Sequence, residues 1–226
     1  MASSNASTAL HPLLGLAPSD PALVAFLASL SSPPAPPPEP QVKAYSDVLY
    51  LNYRPLALSI SFAPRTPLPS STAAASSLAG LLDPAHPAHA SLACTQIDIY
   101  NHAATPEPAP SSARTKPSER WGRFPRFPLA LSSSSSSSAD PSPVLLEPST
   151  TGAALLSLLG EPARKGGGQS ATPALGIWTE WTPRGVLVEW ASQGLEAWEK
   201  GGEARWRCVS VFAPEEANSE GADKGA

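Results

Sequence analysis

Cysteine is scarce in this sequence, since Cys94 and Cys208 are the only two among 226 residues. Two cysteines cannot cross-link a chain of this length into a disulfide-stabilised scaffold, and such low usage is typical of a reducing compartment. Both fall in predicted strands without a neighbouring histidine, so we interpret them as structural thiols rather than nucleophiles. Whether they pair with each other depends on whether their strands adjoin, which the sequence leaves open.

Basic charge and long apolar runs are also in short supply. The 15 lysines and arginines are outnumbered by 19 carboxylates, and the net charge of −4 disfavours binding to nucleic acid. No apolar run approaches the roughly 18 residues of a membrane-spanning helix. The first basic residue is Lys43, which argues against a secretory signal or an Arg-rich transit peptide. We therefore expect a soluble cytoplasmic protein without a transmembrane segment, and a nuclear location is also compatible.

Proline and serine, in contrast, are abundant. The 28 prolines are more than twice the usual share of roughly 5%, and Ser132–Ser138 form an unbroken run. Composition of this kind indicates a folded module interrupted by disordered segments. We assign disorder to residues 1–18, a Ser/Pro-rich linker to 132–148 and an acidic disordered tail to 215–226.

The remaining sequence divides into two units, 19–131 and 149–214, with the same order of elements. Each begins with a short apolar helix. "SDPALVAFLASL" is capped at Ser19 or Asp20, and "GAALLSLLG" ends at Gly160. A Pro/Gly-rich loop, a hairpin of alternating apolar strands, a second loop and a third strand follow in both units. In the first unit, "RFPLALS" predicts one more short strand.

The aromatic residues of the two hairpins recur at one constant offset along the chain, and so do their apolar neighbours. The matched pairs are Tyr50 with Trp178, Tyr53 with Trp181, Pro55 with Pro183, Leu58 with Val186, Ile60 with Val188, and Phe62 with Trp190. This agreement predicts a tandem αβββ duplication that forms an antiparallel sheet with helices on one face, an α+β fold. Chance similarity among short strands is the alternative.

The two hairpins, "YLNYRPLALSISF" and "IWTEWTPRGVLVEW", resemble a pattern of the phagophore assembly factor 1 family: aromatic-x-x-aromatic, then glycine and alternating apolar residues. "LLSLLGEPARK" is similar to that family's LG-x-P turn after a helix. The chain departs from the pattern at Ala57, where the second hairpin has Gly185. The resemblance implies a non-enzymatic binding component of autophagy that associates with phosphoinositide membranes and protein partners.

Two further resemblances accompany this one. "LGEPARKGGG" followed by "IWTEW" is similar to motifs of uncharacterised fungal proteins. The tandem αβββ layout resembles bacterial assembly-lipoprotein and β-lactamase-inhibitor-protein modules, which implies protein binding without catalysis.

The most concentrated group of cations lies in "RTKPSERWGRFPRFP", where only Glu119 opposes them. Arginine and lysine pair with phosphates, and aromatic rings favour a membrane interface. The segment therefore predicts contact with an anionic lipid surface. An equally weighted alternative is a basic linker whose aromatic residues cover the sheet edge. The candidate contacts are Arg114, Lys116, Arg120, Trp121, Arg123, Phe124 and Arg126.

Arg164 and Lys165 are a second candidate for anion binding, because three glycines follow them in "EPARKGGGQS". A Walker loop places its lysine after the last glycine and at the start of a helix, so this pattern fails as a nucleotide site. A flexible turn between helix and strand is the favoured interpretation. Anion binding by the two side chains and exposed glycine amides is the alternative.

Trp178, Trp181 and Glu180 are candidates for a small-ligand or enzyme site in the concavity of the sheet. The tyrosines at the same places in the first hairpin favour packing instead. Trp178 and Trp181 stand three apart on a strand, so they should face opposite sides. Glu180 and Glu189 are expected at solvent-facing strand positions.

The stretch "DPAHPAH" brings Asp83, His86 and His89 together, but a zinc site needs three or four ordered ligands. A solvated loop is the favoured interpretation, and we predict no metal, no cofactor and no catalytic residue. The sequence therefore predicts a non-enzymatic binding or adaptor protein with protein partners, an anionic lipid contact and no nucleic-acid partner. An inhibitor-like protein-binding module is the alternative.

Overall fold

The computed structural model describes residues 7–31, 36–66, 78–101, 121–131, 143–167, 177–191 and 202–215. Within them the chain forms two helices, an eight-stranded antiparallel sheet and a small three-stranded mixed sheet. The helices are α1, Pro21–Ser29, and α2, Gly152–Leu159. The strands are β1 Thr8–Ala9, β2 Gln41–Ala44, β3 Leu49–Tyr53, β4 Leu58–Pro64, β5 Leu92–Tyr100, β6 Leu129–Leu131, β7 Val144–Leu146, β8 Arg164–Gly166, β9 Trp178–Trp181, β10 Val186–Trp190 and β11 Trp206–Phe212.

Both helices begin with a side-chain cap. Asp20 accepts a 2.9 Å hydrogen bond from the amide of Ala22, and Pro21 occupies the first turn, where its missing amide costs nothing. Thr151 accepts from the amide of Ala154 at 3.4 Å. The second helix ends at Gly160, whose φ of +78° is open to glycine but unfavourable for other residues. The two predicted helices are therefore confirmed, with Asp20 as the cap of the first.

The large sheet has the strand order β2-β3-β4-β5-β11-β10-β9-β8. Its two halves, β2–β5 and β8–β11, meet where β5 pairs with β11. That pairing is symmetric, because Ile97 lies opposite Val211, Asp98 opposite Ser210, and Ile99 opposite Val209.

The two hairpins also match in their irregular features. Short 3₁₀ turns, Arg54–Leu56 and Thr182–Arg184, are each followed by a left-handed residue, Ala57 with φ 49° and Gly185 with φ 60°. The carbonyls of these two residues each accept a 2.9 Å hydrogen bond from the last residue of the third strand. Both halves also carry a β-bulge where the second strand of the hairpin pairs with the third strand. The bulges lie between Ser61 and Phe62 in the first half and between Glu189 and Trp190 in the second. The backbone thus follows the same path twice.

One face of the large sheet carries the hydrophobic core. Leu23 and Leu27 of α1 and Leu155 and Leu159 of α2 belong to the same buried cluster as the sheet residues. The sheet contributes every second residue along its strands, as alternation requires. Its fully buried members include Leu49, Leu58, Ile60, Phe62, Ile97, Ile99, Val186, Val188, Trp206, Val209 and Val211.

The structure adds a strand to each predicted unit. Both β2 and β8 lie in segments that the sequence predicted as Pro/Gly-rich loops, and each forms an outer edge of the sheet. A short edge strand forms because a neighbouring strand offers backbone partners, so its own sequence need not alternate. β6 confirms the short strand predicted at "RFPLALS".

Two segments assigned to disorder or linker differ from that prediction within the described residues. Residues 7–18 contain β1 and a 3₁₀ turn, His11–Leu13, and Leu10 is fully buried. The strand β7 falls inside the predicted linker and pairs with β6. In both places a few leucines reach the core, which overrides the polar composition around them. The serine run and the acidic tail beyond Glu215 lie outside the described residues.

Candidate functional site

The part of the basic-aromatic stretch that the structure describes, Trp121–Phe127, is here called the anchored basic segment. Its first residue, Trp121, stacks on Tyr100 with ring centroids 4.1 Å apart. The guanidinium of Arg54 lies 5.2 Å from the same indole ring, within range of a cation–π contact. The amide of Gly122 donates to the carbonyl of Arg54 at 2.6 Å. The segment is therefore fixed onto the first hairpin turn.

Gly122 permits this close approach because it has no side chain. A Cβ at this position would lie 2.0 Å from the carbonyl oxygen of Pro55. Further along, Phe124 is only 1% exposed. Its ring meets Phe127 at 5.5 Å, and Phe127 reaches Trp206 at 5.9 Å. The phenylalanines of the segment are thus anchors in the core.

Burial of Phe124 corrects its place among the predicted membrane contacts. A side chain locked in the core cannot insert into a lipid surface. Trp121 lies on the face of the sheet that carries Tyr100, whereas Phe124 and Phe127 pack with the core on the other face. The segment passes from one face to the other, and Arg123 and Arg126 are exposed along this passage. Neither arginine forms an ion pair with another described residue.

Three other predicted cations, Arg114, Lys116 and Arg120, lie outside the described residues. Arg164 and Lys165 lie on the edge strand β8, not in a glycine turn, which corrects the predicted local structure. Each is already close to a carboxylate: Arg164 is 3.6 Å from Glu180, and Lys165 is 3.7 Å from Glu161. Their charge is thus partly balanced, unlike that of the anchored basic segment.

The face of the sheet opposite the core carries a row of residues that crosses all eight strands and is polar except for Leu187; it is here called the polar row. Each member lies directly opposite the next in the hydrogen-bonded register: Gln41, Asn52, Ser59, Asp98, Ser210, Leu187, Glu180 and Arg164. Asn52, Ser59, Asp98, Ser210 and Glu180 are all buried. Sequence reasoning missed this row, because its members are far apart in the chain and only the register aligns them.

Asp98 stands at the centre of the polar row and accepts a 2.7 Å hydrogen bond from the side-chain amide of Gln96. Burial raises the pKa of Asp98 above its ordinary value, although hydrogen bonds from Ser210 and Gln96 act in the opposite direction. A carboxyl group in this setting takes up a proton more readily than one in water. The alternating strand "QIDIY" does place an acid on the face opposite two isoleucines, which is the only sequence signal for it.

Burial also favours the protonated form of the two cysteine thiols. Burial raises the pKa of Cys94 to about 12 and that of Cys208 well above its ordinary value. Both cysteines are free and buried. Their strands adjoin, but Cys94 lies opposite Phe62 on the core face, whereas Cys208 lies opposite Tyr100 on the polar face. The interpretation as structural thiols agrees with this placement.

The tryptophans of the second hairpin do not converge on a ligand site. Trp181 is 2% exposed and its indole N–H donates to the carbonyl of Gly160 at 2.9 Å. Trp178 is half-buried on the opposite face, where a Cβ on Gly166 would lie 2.6 Å from its ring. Trp190 is buried and donates to Thr179. The predicted opposition of Trp178 and Trp181 is confirmed, and Trp181 is not available to a ligand.

The two glutamates of this hairpin differ from their predicted solvent-facing role. Glu180 is 8% exposed and accepts from the hydroxyl of Thr182 at 2.7 Å, beside Arg164. Glu189 is half-buried and pairs with Arg207 at 2.6 Å. Both carboxylates are held by local partners within the sheet, which satisfies their charge.

The histidines of "DPAHPAH" are also placed differently from the prediction. His89 is buried, with one ring nitrogen 2.7 Å from the carbonyl of Leu81 and the other 2.8 Å from the hydroxyl of Ser19. It connects the loop to Ser19, two residues before α1, so the stretch is not a solvated loop at this point, whereas His86 is exposed. Among the residues that the structure describes, no group of three or more His, Cys, Asp or Glu side chains is arranged to hold a metal ion.

Helices of the described part of the chain are all too short or too polar to cross a membrane. Comparison with protein-family models, curated proteins and solved structures found no match for this chain.

Proposed function

We propose that this protein is a non-enzymatic binding module that contacts anionic membrane surfaces, phosphoinositide-containing ones among them, through its anchored basic segment. A role in autophagy, implied by the resemblance at the two hairpins, belongs to the same proposal. So does the origin of the fold in a tandem duplication, with both helices on the core face. The matching registers, turns and bulges of the two halves support that origin.

One observation carries the membrane proposal. Arg123 and Arg126 are exposed and lack ion-pair partners among the described residues, while Phe124 and Trp121 fix the chain on either side of Arg123. Anchoring reduces the conformational entropy that the arginines lose on binding. Three more cations, Arg114, Lys116 and Arg120, precede them in the sequence. Each basic side chain near an anionic leaflet contributes about 1 kcal/mol.

The proposal is non-enzymatic because burial favours the uncharged forms of the Cys94, Cys208 and Asp98 side chains. A nucleophile needs a lowered pKa or an adjacent base, and both thiols have raised pKa values instead. Burial also raises the pKa of Tyr100. Asp98 is enclosed by Gln96 and Ser210 in the sheet, where it has hydrogen-bonding partners that stabilise it structurally.

Liposome cosedimentation tests the membrane contact. The variant Arg123→Glu/Arg126→Glu should bind vesicles of phosphatidylcholine with phosphatidylinositol phosphate at least about tenfold more weakly than the unmodified protein. Wild-type binding should weaken with added salt, because surface charges are screened.

The matched control is Lys43→Glu/Arg205→Glu, which reverses two exposed cations elsewhere and changes the net charge equally. It should retain most of the binding. Equal binding by the Arg123→Glu/Arg126→Glu variant and the wild type would refute the proposal, and so would equal losses in both variants.

A further inference from the structure

The two hairpin turns hold a later segment of the chain through the same backbone group. In the first half, the carbonyl of Arg54 accepts a 2.6 Å hydrogen bond from the amide of Gly122. In the second half, the carbonyl of Thr182 accepts a 3.2 Å hydrogen bond from the amide of Glu215. Arg54 and Thr182 are the first residues of their matched 3₁₀ turns. Docking of a segment on the turn is therefore a backbone feature that both halves share.

Side chains strengthen this docking at the first turn. Trp121 stacks on Tyr100, the last residue of β5, and the guanidinium of Arg54 lies 5.2 Å from the centre of the same indole ring. The Nε–H of Arg54 donates to the side-chain oxygen of Gln41 at 2.9 Å, which helps to orient the guanidinium. Arg54, Tyr100 and Trp121 are here called the aromatic clamp. Phe212, which matches Tyr100 in the second half, makes no ring contact with another residue in the part of the chain that the structure describes.

The half that has the aromatic clamp is also the half whose docked segment carries exposed cations. Arg123 and Arg126 are exposed, and Phe124 between them is 1% exposed. At the second turn the docked residue, Glu215, is itself acidic, and Glu216 follows it in the sequence. The additional contacts thus occur where a basic segment has to be held, although the backbone docking is common to both turns.

The aromatic clamp supplies most of the attachment on the amino-terminal side of Arg123. One backbone hydrogen bond contributes little net stability by itself, because it replaces a bond to water. A stacked aromatic pair and a cation–π contact add buried area and electrostatic attraction. The fit at Gly122 is close, since a Cβ there would lie 2.0 Å from the carbonyl oxygen of Pro55. Loss of any of these contacts should free the segment from the turn.

We propose that Arg54 and Tyr100 are positioning residues for the membrane contact of the anchored basic segment. They hold Trp121 on the first hairpin turn, and this keeps Arg123 and Arg126 exposed and ordered before an anionic headgroup arrives. Both act through Trp121 and not through a lipid contact of their own. This inference rests on the proposed function, and it adds that lipid affinity depends on contacts remote from the two arginines.

Two substitutions that leave the net charge unchanged test the role of the aromatic clamp. Tyr100→Ala removes the stacked ring, and Gly122→Ala forces the docked backbone away from Pro55. Each variant should bind vesicles of phosphatidylcholine with phosphatidylinositol phosphate about fivefold more weakly than the wild type, because the arginines then lose more conformational entropy on binding. Tyr100→Phe keeps the ring and should restore wild-type binding.

Arg54 has a matched control at the other turn. Arg54→Ala and Arg184→Ala each remove one cation from a hairpin turn, so they change the net charge equally. Arg54→Ala should weaken vesicle binding about fivefold, whereas Arg184→Ala should retain most of it. Equal losses in these two variants would show that charge alone matters at Arg54, which would overturn its positioning role.

A double-mutant cycle separates positioning from a general structural effect. In the Arg123→Glu/Arg126→Glu background, Tyr100→Ala should cause no further loss of vesicle binding, because a positioning residue acts only through those arginines. The steady-state ¹H–¹⁵N NOE of the Arg123 amide should fall in Tyr100→Ala and in Gly122→Ala, since the released segment moves faster. Thermal unfolding identifies any variant that is not folded, and the variants at three separate contacts keep the test valid if one of them folds poorly.

The result that overturns the inference differs from the one that overturns the membrane contact. Binding of the wild type together with undiminished binding by the folded clamp variants would refute the positioning role alone. Additive losses in the double-mutant cycle would refute it as well. Absence of binding by the wild type would refute the proposed function itself, and the positioning role with it.

Discussion

The two halves of the sheet follow matching backbone paths, but different side chains fill their cores. The first half buries Phe62 and Cys94 where the second buries Trp190 and Trp206. Phenylalanine and cysteine require no hydrogen-bond acceptor in these places, whereas a buried indole does. Each buried indole of the second half has a hydrogen-bond acceptor; that of Trp206, for example, donates to the carbonyl of Glu147 at 2.8 Å. The tryptophans are therefore structural elements with polar connections to nearby loops.

The halves differ again on the polar face. Ser59 and Ser61 of the first half correspond to Leu187 and Glu189 of the second, and Asp98 corresponds to Ser210. The hydroxyl of Ser61 is buried without a hydrogen-bond partner among the described residues. The comparison shows matching backbone geometry with different side chains at equivalent positions, so each position in one half has a reference position in the other.

The largest difference between the two halves in lost stability should appear when the matched core residues Trp206 and Cys94 are each changed to alanine. Trp206→Ala removes a fully buried indole and leaves the carbonyl of Glu147 unpaired, so the free energy of unfolding should fall by about 3–5 kcal/mol. Cys94→Ala, its counterpart, should cost only about 1 kcal/mol. Chemical denaturation of both variants measures the difference, and equal losses would contradict the structural role of the indole.

The left-handed turn residues should give the next largest difference. Gly185→Ala would place a Cβ about 2.0 Å from the carbonyl oxygen of Phe212, which forces a backbone shift and should cost about 2–3 kcal/mol. Ala57 already holds a Cβ at the matching place, so Ala57→Gly should change stability by less than about 1 kcal/mol. Thermal unfolding of the two variants checks this, and an unchanged Tm for Gly185→Ala would show that the second turn accommodates a Cβ as the first does at Ala57.

The smallest effect is expected at the centre of the polar row. Because burial raises the pKa of Asp98, the folded chain binds that proton more tightly than the unfolded chain does. The stabilisation is complete below the unfolded-state pKa and is lost as pH rises through the folded-state pKa. Asp98→Asn should remove this pH dependence and raise stability near neutral pH by about 1 kcal/mol.

Urea denaturation over a pH series measures the effect, with Glu189→Gln as the carboxylate control on the same face. A pH profile for Asp98→Asn that matches the wild type would show that Asp98 does not carry the dependence.

Local signals in the sequence were sufficient for much of the fold. Capping and apolar spacing located both helices, and alternation located the two hairpins and their third strands. Strands β2 and β8 escaped prediction because their pairing energy comes from a neighbouring strand, not from their own residues. The segment around Leu10 escaped for a similar reason, because its burial depends on distant parts of the chain.

Only part of the candidate site could be predicted from the sequence. The sequence singled out the arginines of the anchored basic segment, but it could not divide that segment into exposed Arg123 and buried Phe124, because burial depends on which atoms lie nearby. It identified Trp181 as a ligand candidate, whereas the structure seals that ring in the core. No signal in the sequence indicated the polar row or the cavity between α2 and the β8–β10 strands, because each is assembled from residues that are far apart in the chain.

The sequence by itself determined the order of the two helices, the two hairpins and their third strands, the helix caps, the alternating faces and the correspondence between the two hairpins. These properties depend on neighbours within a few residues, where side-chain spacing and backbone preference act directly. Tertiary structure decided which face each cysteine occupies, that Asp98 is buried enough to raise its pKa, and that Thr179 and Ala204 both line that cavity. Those outcomes depend on strand register, bulges and the packing of distant segments. A side chain is buried only when parts of the chain that are distant in sequence pack against it.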